Sequence, residues 1–188
     1  RTGFRKLKKL YFIFLLICLQ GFIGWYMVSS GLVDRVDVSH FRLSIHLLIA
    51  FFILSLIFWN FLKLKKILFP NNVLNKLFPI FFLALIFTQI STGAFVSGMY
   101  AGKIYNSWPL MGSTYFPNDS TLINLFSLDA FSDPSLVQFI HRNLAYLIFC
   151  FYIFILFKVY KNKLADLFII VNIIGILLFI QIFLGILT

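Results

Sequence analysis

The stretch SLVQFIHRNLAYLIFCFYIFILF, residues 135–157, decides how this chain reads. It is long and apolar enough to supply the ~20 residues that ~30 Å of hydrocarbon requires. Near its head it carries His141 and Arg142. A polar pair at the rim of a membrane span is costly to bury and is kept where it has a partner or a task. Histidine is also the commonest metal ligand among side chains and an axial ligand of heme iron.

Outward from that stretch, the composition sets the class. Of 188 residues, 61% are hydrophobic and 12% are charged, against about 25% charged in a soluble domain. The expectation is an all-α integral membrane protein. The formal net charge is +10, but the basic residues cluster between apolar runs. That is how lysines fix membrane orientation, so lipid and not nucleic acid is the expected partner. There is no glutamate, and the acidic residues are Asp34, Asp37, Asp119, Asp129, Asp133 and Asp166. Cys18 and Cys150 lie inside apolar runs and read as packing residues rather than a disulfide.

Five stretches read as transmembrane helices, at roughly 10–28, 42–62, 78–98, 135–157 and 166–187. The apolar core of the first is longer than that of a signal sequence, so it reads as a retained anchor. Basic residues crowd the N-terminal RTGFRKLKK, the 63–77 linker and the 158–165 turn, whereas 29–41 and 99–134 are neutral to acidic. The positive-inside rule then puts the N-terminus in the cytoplasm and both of those loops on the outer side, in what is expected to be a bacterial inner (plasma) membrane. The 99–134 segment is the only long non-spanning piece, and long loops in compact proteins tend to be functional. Within it, STLINLFSLDAF is expected to lie as a short amphipathic helix on the membrane surface.

A weak repeat marks alternate spans: Gln20-x-x-x-Gly24, Gln89-x-x-x-Gly93 and Gln181-x-x-x-Gly185. That spacing puts a hydrogen-bonding group and a backbone notch on one helix face. Any single copy reads as helix packing. Three copies on alternate spans argue for a duplicated helix pair, as in other repeat-built membrane folds.

The three histidines fall near the outer ends of even-numbered spans. His40 reads as loop, His46 as about one turn into the second span, and His141 as about two turns into the fourth. Each of the latter two has an arginine close by, Arg42 four residues before His46 and Arg142 beside His141. Gln138 lies one turn from His141 on the same face. A histidine for iron and an arginine for propionate carboxylates are what an outward-facing heme pocket needs. The bland alternative for His46 is an interfacial histidine bonded to a neighbouring carbonyl. Hydrolytic chemistry is not supported: no span holds a carboxylate pair, and there is no Ser-His-Asp set, Cys-Cys metal spacing or glycine-rich phosphate loop. Ser55 and Thr88 are expected to bond back to their own helices.

The segments GAFVSGMYAGKIYNSWPLMG, 93–112, and LVQFIHRNLAYL, 136–147, resemble the heme A synthase family. So do QGFIGWYMVSSGL and DVSHFRLSIHLLIAF in the first two spans, so the resemblance runs through essentially the whole chain. It implies a pseudo-repeated helical bundle, eight spans in two four-helix halves, each holding a heme between two histidines. By that resemblance these spans match the third to seventh. Residues 1–77 are the helix pair ending the amino-terminal half, and 78–188 are three helices opening the carboxy-terminal half. His46 is then an axial ligand of the substrate heme O iron, and His141 an axial ligand of the heme b cofactor. Arg42 and Arg142 become candidate propionate partners, and Tyr105, Trp108 and Pro109 shape a loop over the heme b site. The implied activity is oxidation of a heme O methyl group to the formyl of heme A, a heme-dependent oxidoreductase step in terminal oxidase biogenesis. Heme O synthase, oxidase assembly factors and an oligomer are conceivable partners. One histidine of each site is missing from this stretch, which is expected to be a fragment inactive by itself.

Two other classes stay open at this point. One is a non-catalytic membrane b-type heme-binding or electron-transfer protein, with one heme gripped by His46 and His141 together. The other is a structural subunit with no cofactor.

Overall fold

The computed structural model describes residues 2–29, 38–65 and 74–187. Five of its helices are long and apolar enough to cross a membrane. They are α1 (Thr2–Ser29), α2 (His40–Leu64), α3 (Leu77–Gly98), α5 (Pro134–Lys161) and α6 (Ala165–Leu187); the short α4 (Leu122–Leu125) lies between α3 and α5. Among the described residues the only β pairing is an isolated antiparallel bridge between Met111 and Thr114. The expected all-helical, five-span architecture is what is found. Several helices outrun their expected spans, because a helix continues past the hydrocarbon where lysine stems reach the headgroups. His40, expected in a loop, is instead the first residue of α2.

The chain forms two compact units, Arg1–Phe69 and Pro70–Thr188. In the first, α1 and α2 pair antiparallel: Gln20 meets His46, and further along α1 the Tyr26 ring meets Arg42, which lies earlier on α2. Few side chains of the pair are buried, chiefly Ile13, Ser44 and Ile53. Large apolar side chains such as Leu15, Phe22 and Phe58 face outward. Lipid is as apolar as these groups, so packing and interhelical hydrogen bonds hold such helices together rather than hydrophobic burial. Cys18 and Cys150 are free and exposed rather than packed, which corrects the expectation for both.

In the second unit α3, α5 and α6 share a core of Tyr152, Ile155, Val159 and Val171, with Phe78, Phe82 and Phe149 against it. The Tyr152 hydroxyl donates to the Val171 carbonyl at 3.3 Å. A Cβ on Gly175 would collide with that hydroxyl, so glycine there lets α6 close on α5. Ser55 and Thr88 donate to the carbonyls four residues back, Phe51 at 2.8 Å and Ala84 at 3.0 Å, as expected.

Between α3 and α5 the chain makes a one-turn 3-10 helix, Ala101–Lys103, then α4, then a second 3-10 turn, Leu128–Phe131. STLINLFSLDAF is therefore two separate turns and not one surface helix. Thr121 caps α4 through its hydroxyl, accepting from the Asn124 N–H, and the chain breaks at Phe126 before Ser127 begins the next turn. α5 starts firmly. Asp133 caps it by accepting from the N–H groups of Ser135 and Leu136, and Pro134 takes the first turn, where its missing N–H costs nothing. Seven residues in, about 10 Å at 1.5 Å per residue, stands His141.

Candidate functional site: two histidine seats

Each of the two later histidines lies against a Gln-x-x-x-Gly motif on a neighbouring helix of its own unit. In the first unit the Gln20 amide nitrogen is 3.2 Å from His46 Nε2 and donates to the His46 carbonyl at 3.0 Å. In the second, the Gln89 amide nitrogen is 3.2 Å from His141 Nε2 and donates to the His141 carbonyl at 3.3 Å. The glycines make the approach possible. A Cβ at Gly24 would stand 3.1 Å from His46 Cε1, and one at Gly93 would stand 3.2 Å from His141 Cε1. Both are tighter than ordinary van der Waals contact, so each imidazole rests in a cradle that any other residue would fill.

The spacing that reads from the sequence as helix packing is thus the histidine's seat. The donor and the notch sit at i and i+4 on one helix face, and the ring enters from the next long helix. Gln138, expected beside His141, instead donates to the Tyr105 carbonyl at 3.0 Å. Gln20, Gln89, Gly24, Gly93 and Thr92 are the site residues that sequence reasoning missed. The available signal was that both motifs are followed, on the next long helix, by a histidine. On α6 the third copy carries Gln181 and Gly185, and among the described residues a Cβ at Gly185 would meet no imidazole within 4 Å.

Thr92, on α3, adds a contact that the first seat lacks. Its hydroxyl lies 2.9 Å from His141 Nδ1 and also donates to the Gln89 carbonyl at 3.1 Å. His46 Nδ1 is buried without a hydrogen-bond partner. The side-chain oxygens of both Gln20 and Gln89 are buried and unpartnered as well.

The two arginines do different things. Arg42 sets its guanidinium 4.9 Å over the Tyr26 ring. Arg142 reaches into the 99–133 segment and donates to the carbonyls of Tyr105 at 2.7 Å, Ser107 at 2.8 Å and Leu110 at 3.4 Å. It is a clamp on the YNSWPLMG stretch, beside the helix that presents His141. The same segment is tied to the start of α5 by Asp119, which accepts from the Tyr105 hydroxyl at 2.9 Å and the Ser135 hydroxyl at 2.6 Å. The Ser135 bond first, and the Tyr105 bond after it, hold the Asp119 carboxyl below its usual value. Tyr105 shifts up, by desolvation first and by its bond to Asp119 second. Trp108, which precedes Pro109 in the clamped stretch, is half exposed.

The donor set suits a heme better than a bare ion. Among the described residues no group of three or more His, Cys, Asp or Glu side chains gathers to hold a metal ion. A porphyrin brings four nitrogens of its own and asks the protein for axial ligands only. One imidazole on a glycine notch offers such a ligand in each unit, with iron taking the Nε2 that the neutral glutamine amide faces here.

A heme A synthase from Pelagibacter ubique is 53% identical over 181 residues, which is 96% of this chain and 53% of that protein. Heme A synthases from Rickettsia bellii and Rickettsia prowazekii are 41% and 39% identical, over 94% and 98% of the chain and 54% and 56% of their own lengths. The chain spans about half the length of the curated relatives it matches. No solved structure matches it. The cytochrome oxidase assembly protein family, COX15-CtaA, matches over residues 2–188. With five apolar helices and that match, the chain is an integral membrane protein of the COX15-CtaA family, the family of the heme A synthases.

Proposed function

We propose that this chain carries one ligand of each of two heme sites in a heme A synthase, and that the whole protein oxidises a heme O methyl group to the formyl of heme A. The observation that carries the reading is the pair of seats: two imidazoles, each with its own Gln-x-x-x-Gly notch, in two separate units. His141 is the axial ligand for a resident heme b, and His46 the axial ligand for the substrate heme. Heme, when bound, supplies the redox chemistry. The protein's part is to ligate, orient and enclose. Gln89 and Gly93 aim His141, Gln20 and Gly24 aim His46, and Arg142 holds the 105–112 stretch against the head of α5.

Arg142 uses three N–H···O contacts on that stretch, and a guanidinium has five N–H donors. The remainder are available for a propionate. Arg42, four residues before His46, is the corresponding cation of the first unit. The proposed orientation has the N-terminus in the cytoplasm of a bacterial inner membrane, which puts both seats near the outer face. Residues 1–77 then close the amino-terminal half of the bundle and 78–188 open the carboxy-terminal half.

The test is alanine substitution at each histidine in the whole protein, with heme content read by pyridine hemochrome and products by chromatography. His141→Ala is expected to purify without heme b. His46→Ala is expected to keep heme b and fail to convert heme O. Loss of one and the same heme in both variants would show a single bridged heme, and the carrier reading would replace the synthase one.

A further inference from the structure

The two seats are alike in outline and differ at the third residue after the glutamine. In the second seat this is Thr92, buried at 5% exposure; in the first it is Ile23, which offers no acceptor. An amide nitrogen only donates, so His141 Nε2, facing Gln89, holds the ring's lone pair and Nδ1 holds the proton. The Thr92 oxygen accepts the hydrogen bond from that N–H. Its own hydroxyl hydrogen is engaged by the Gln89 carbonyl, which leaves a lone pair for Nδ1–H at 2.9 Å. The ring of His141 is fixed at both nitrogens. The ring of His46 is fixed at one, and its Nδ1 is buried without a partner.

We infer that Thr92 is a positioning residue: it keeps the proton of His141 on Nδ1 and the lone pair on Nε2, the nitrogen that iron would take in place of the Gln89 amide, and so distinguishes a seat that keeps its heme from one that exchanges it. The inference rests on the heme-ligation reading above. An acceptor on the far nitrogen fixes a ligand's ring plane and raises its basicity, and removing such a partner commonly costs 10–100-fold in metal affinity. A more basic imidazole favours ferric iron. The seat at His46 lacks the acceptor, so its ring turns and releases more readily, as a substrate site requires.

The test uses the whole protein, purified in detergent with its heme. Thr92→Val keeps the shape and removes the acceptor; Thr92→Ala removes it with room to spare, should the valine variant fail to fold; Thr92→Ser restores it. Heme transfer to apomyoglobin and the midpoint potential of the retained heme are measured, with His141→Ala as reference. The expectation is a 10–100-fold faster loss of heme from the valine and alanine variants, a positive shift of their potential, and serine close to the unsubstituted protein. Unchanged loss and potential in both acceptorless variants, with heme absent from His141→Ala, would overturn the role of Thr92 alone. Serine as defective as valine would reduce Thr92 to packing and overturn it too. Full heme in His141→Ala would remove the ligation reading, and this inference with it.

Discussion

In α1–α2 the His46 imidazole rests on Gly24 and takes one side-chain hydrogen bond, from Gln20. In α3–α5 the His141 imidazole rests on Gly93 and has two side-chain partners, Gln89 and Thr92. The surroundings differ in the same sense. Ser135, Leu136, Val137 and Gln138, four consecutive residues at the head of α5, are all buried, whereas on α2 only Ser44 and Ile53 are. Four buried residues in a row cover every face of a helix turn, which happens only where a loop closes over it. One duplicated device, a glutamine, a notch and a ring, thus serves in a singly anchored form and in a doubly anchored form beside a covered helix head. The difference teaches that a repeat in sequence marks a shared geometry, and that single positions inside it set how firmly each copy holds.

The largest expected effect removes the shared part. Gly24→Leu and Gly93→Leu each place a side chain where the imidazole lies, with the Cβ already at 3.1 and 3.2 Å from the ring. Each is expected to abolish heme at its own seat, a loss of at least ~100-fold in affinity, and to leave the other seat loaded. Gly21→Leu is the matched control, since a Cβ there meets nothing within 4 Å. Heme spectra of the three variants break the comparison if Gly21→Leu is as damaging as Gly24→Leu, because the notch would then have no special place.

A smaller, differential effect follows from the second anchor. Gln20→Ala leaves His46 with no side-chain partner, whereas Gln89→Ala leaves His141 with Thr92. With Nε2 given to iron, each glutamine steadies its histidine through the backbone carbonyl, and both variants are expected to lose heme retention by roughly a few-fold, the first more than the second. Rates of heme transfer to apomyoglobin measure both. Equal losses would mean that Thr92 adds nothing to the grip.

The five spans were legible because length and apolarity alone decide them, and lipid imposes no finer pattern. The two histidines and their arginines were legible because charge and imidazole are rare where hydrocarbon surrounds them. What each does was less so. The glutamine–glycine spacing reads as packing until it is known that α3 lies against α5, and a long loop separates those helices in sequence. Arg142 reads as an anion partner because guanidinium suits carboxylates. That it first clamps the carbonyls of Tyr105, Ser107 and Leu110 depends on how a segment more than thirty residues earlier folds back. STLINLFSLDAF has the composition of an amphipathic helix, but Thr121 caps a first turn and the Ser127 hydroxyl donates back to the Asn124 carbonyl, and these local bonds overrode the pattern.

The smallest expected effect belongs to the covered helix head alone and is read in pH. Asp119 joins the Tyr105 hydroxyl to the Ser135 hydroxyl at the head of α5. Its carboxyl is held below its usual value, chiefly by Ser135. A carboxylate with a lowered folded-state pKa contributes fully above its unfolded value and loses that contribution as pH falls through the folded one. Tyr105, shifted up from 10.0, works in the opposite direction: its contribution holds below 10.0 and fades as pH rises through the raised value. The 99–133 segment should therefore keep its attachment to α5 between about pH 4 and pH 10 and loosen beyond either end. Limited proteolysis in that segment and Trp108 fluorescence, followed against pH, are the measurements. In Asp119→Asn the acid step should vanish and cleavage at neutral pH should rise modestly. An acid step that survives in Asp119→Asn would place the titrating group elsewhere, and the covered helix head would owe its cover to the Arg142 clamp alone.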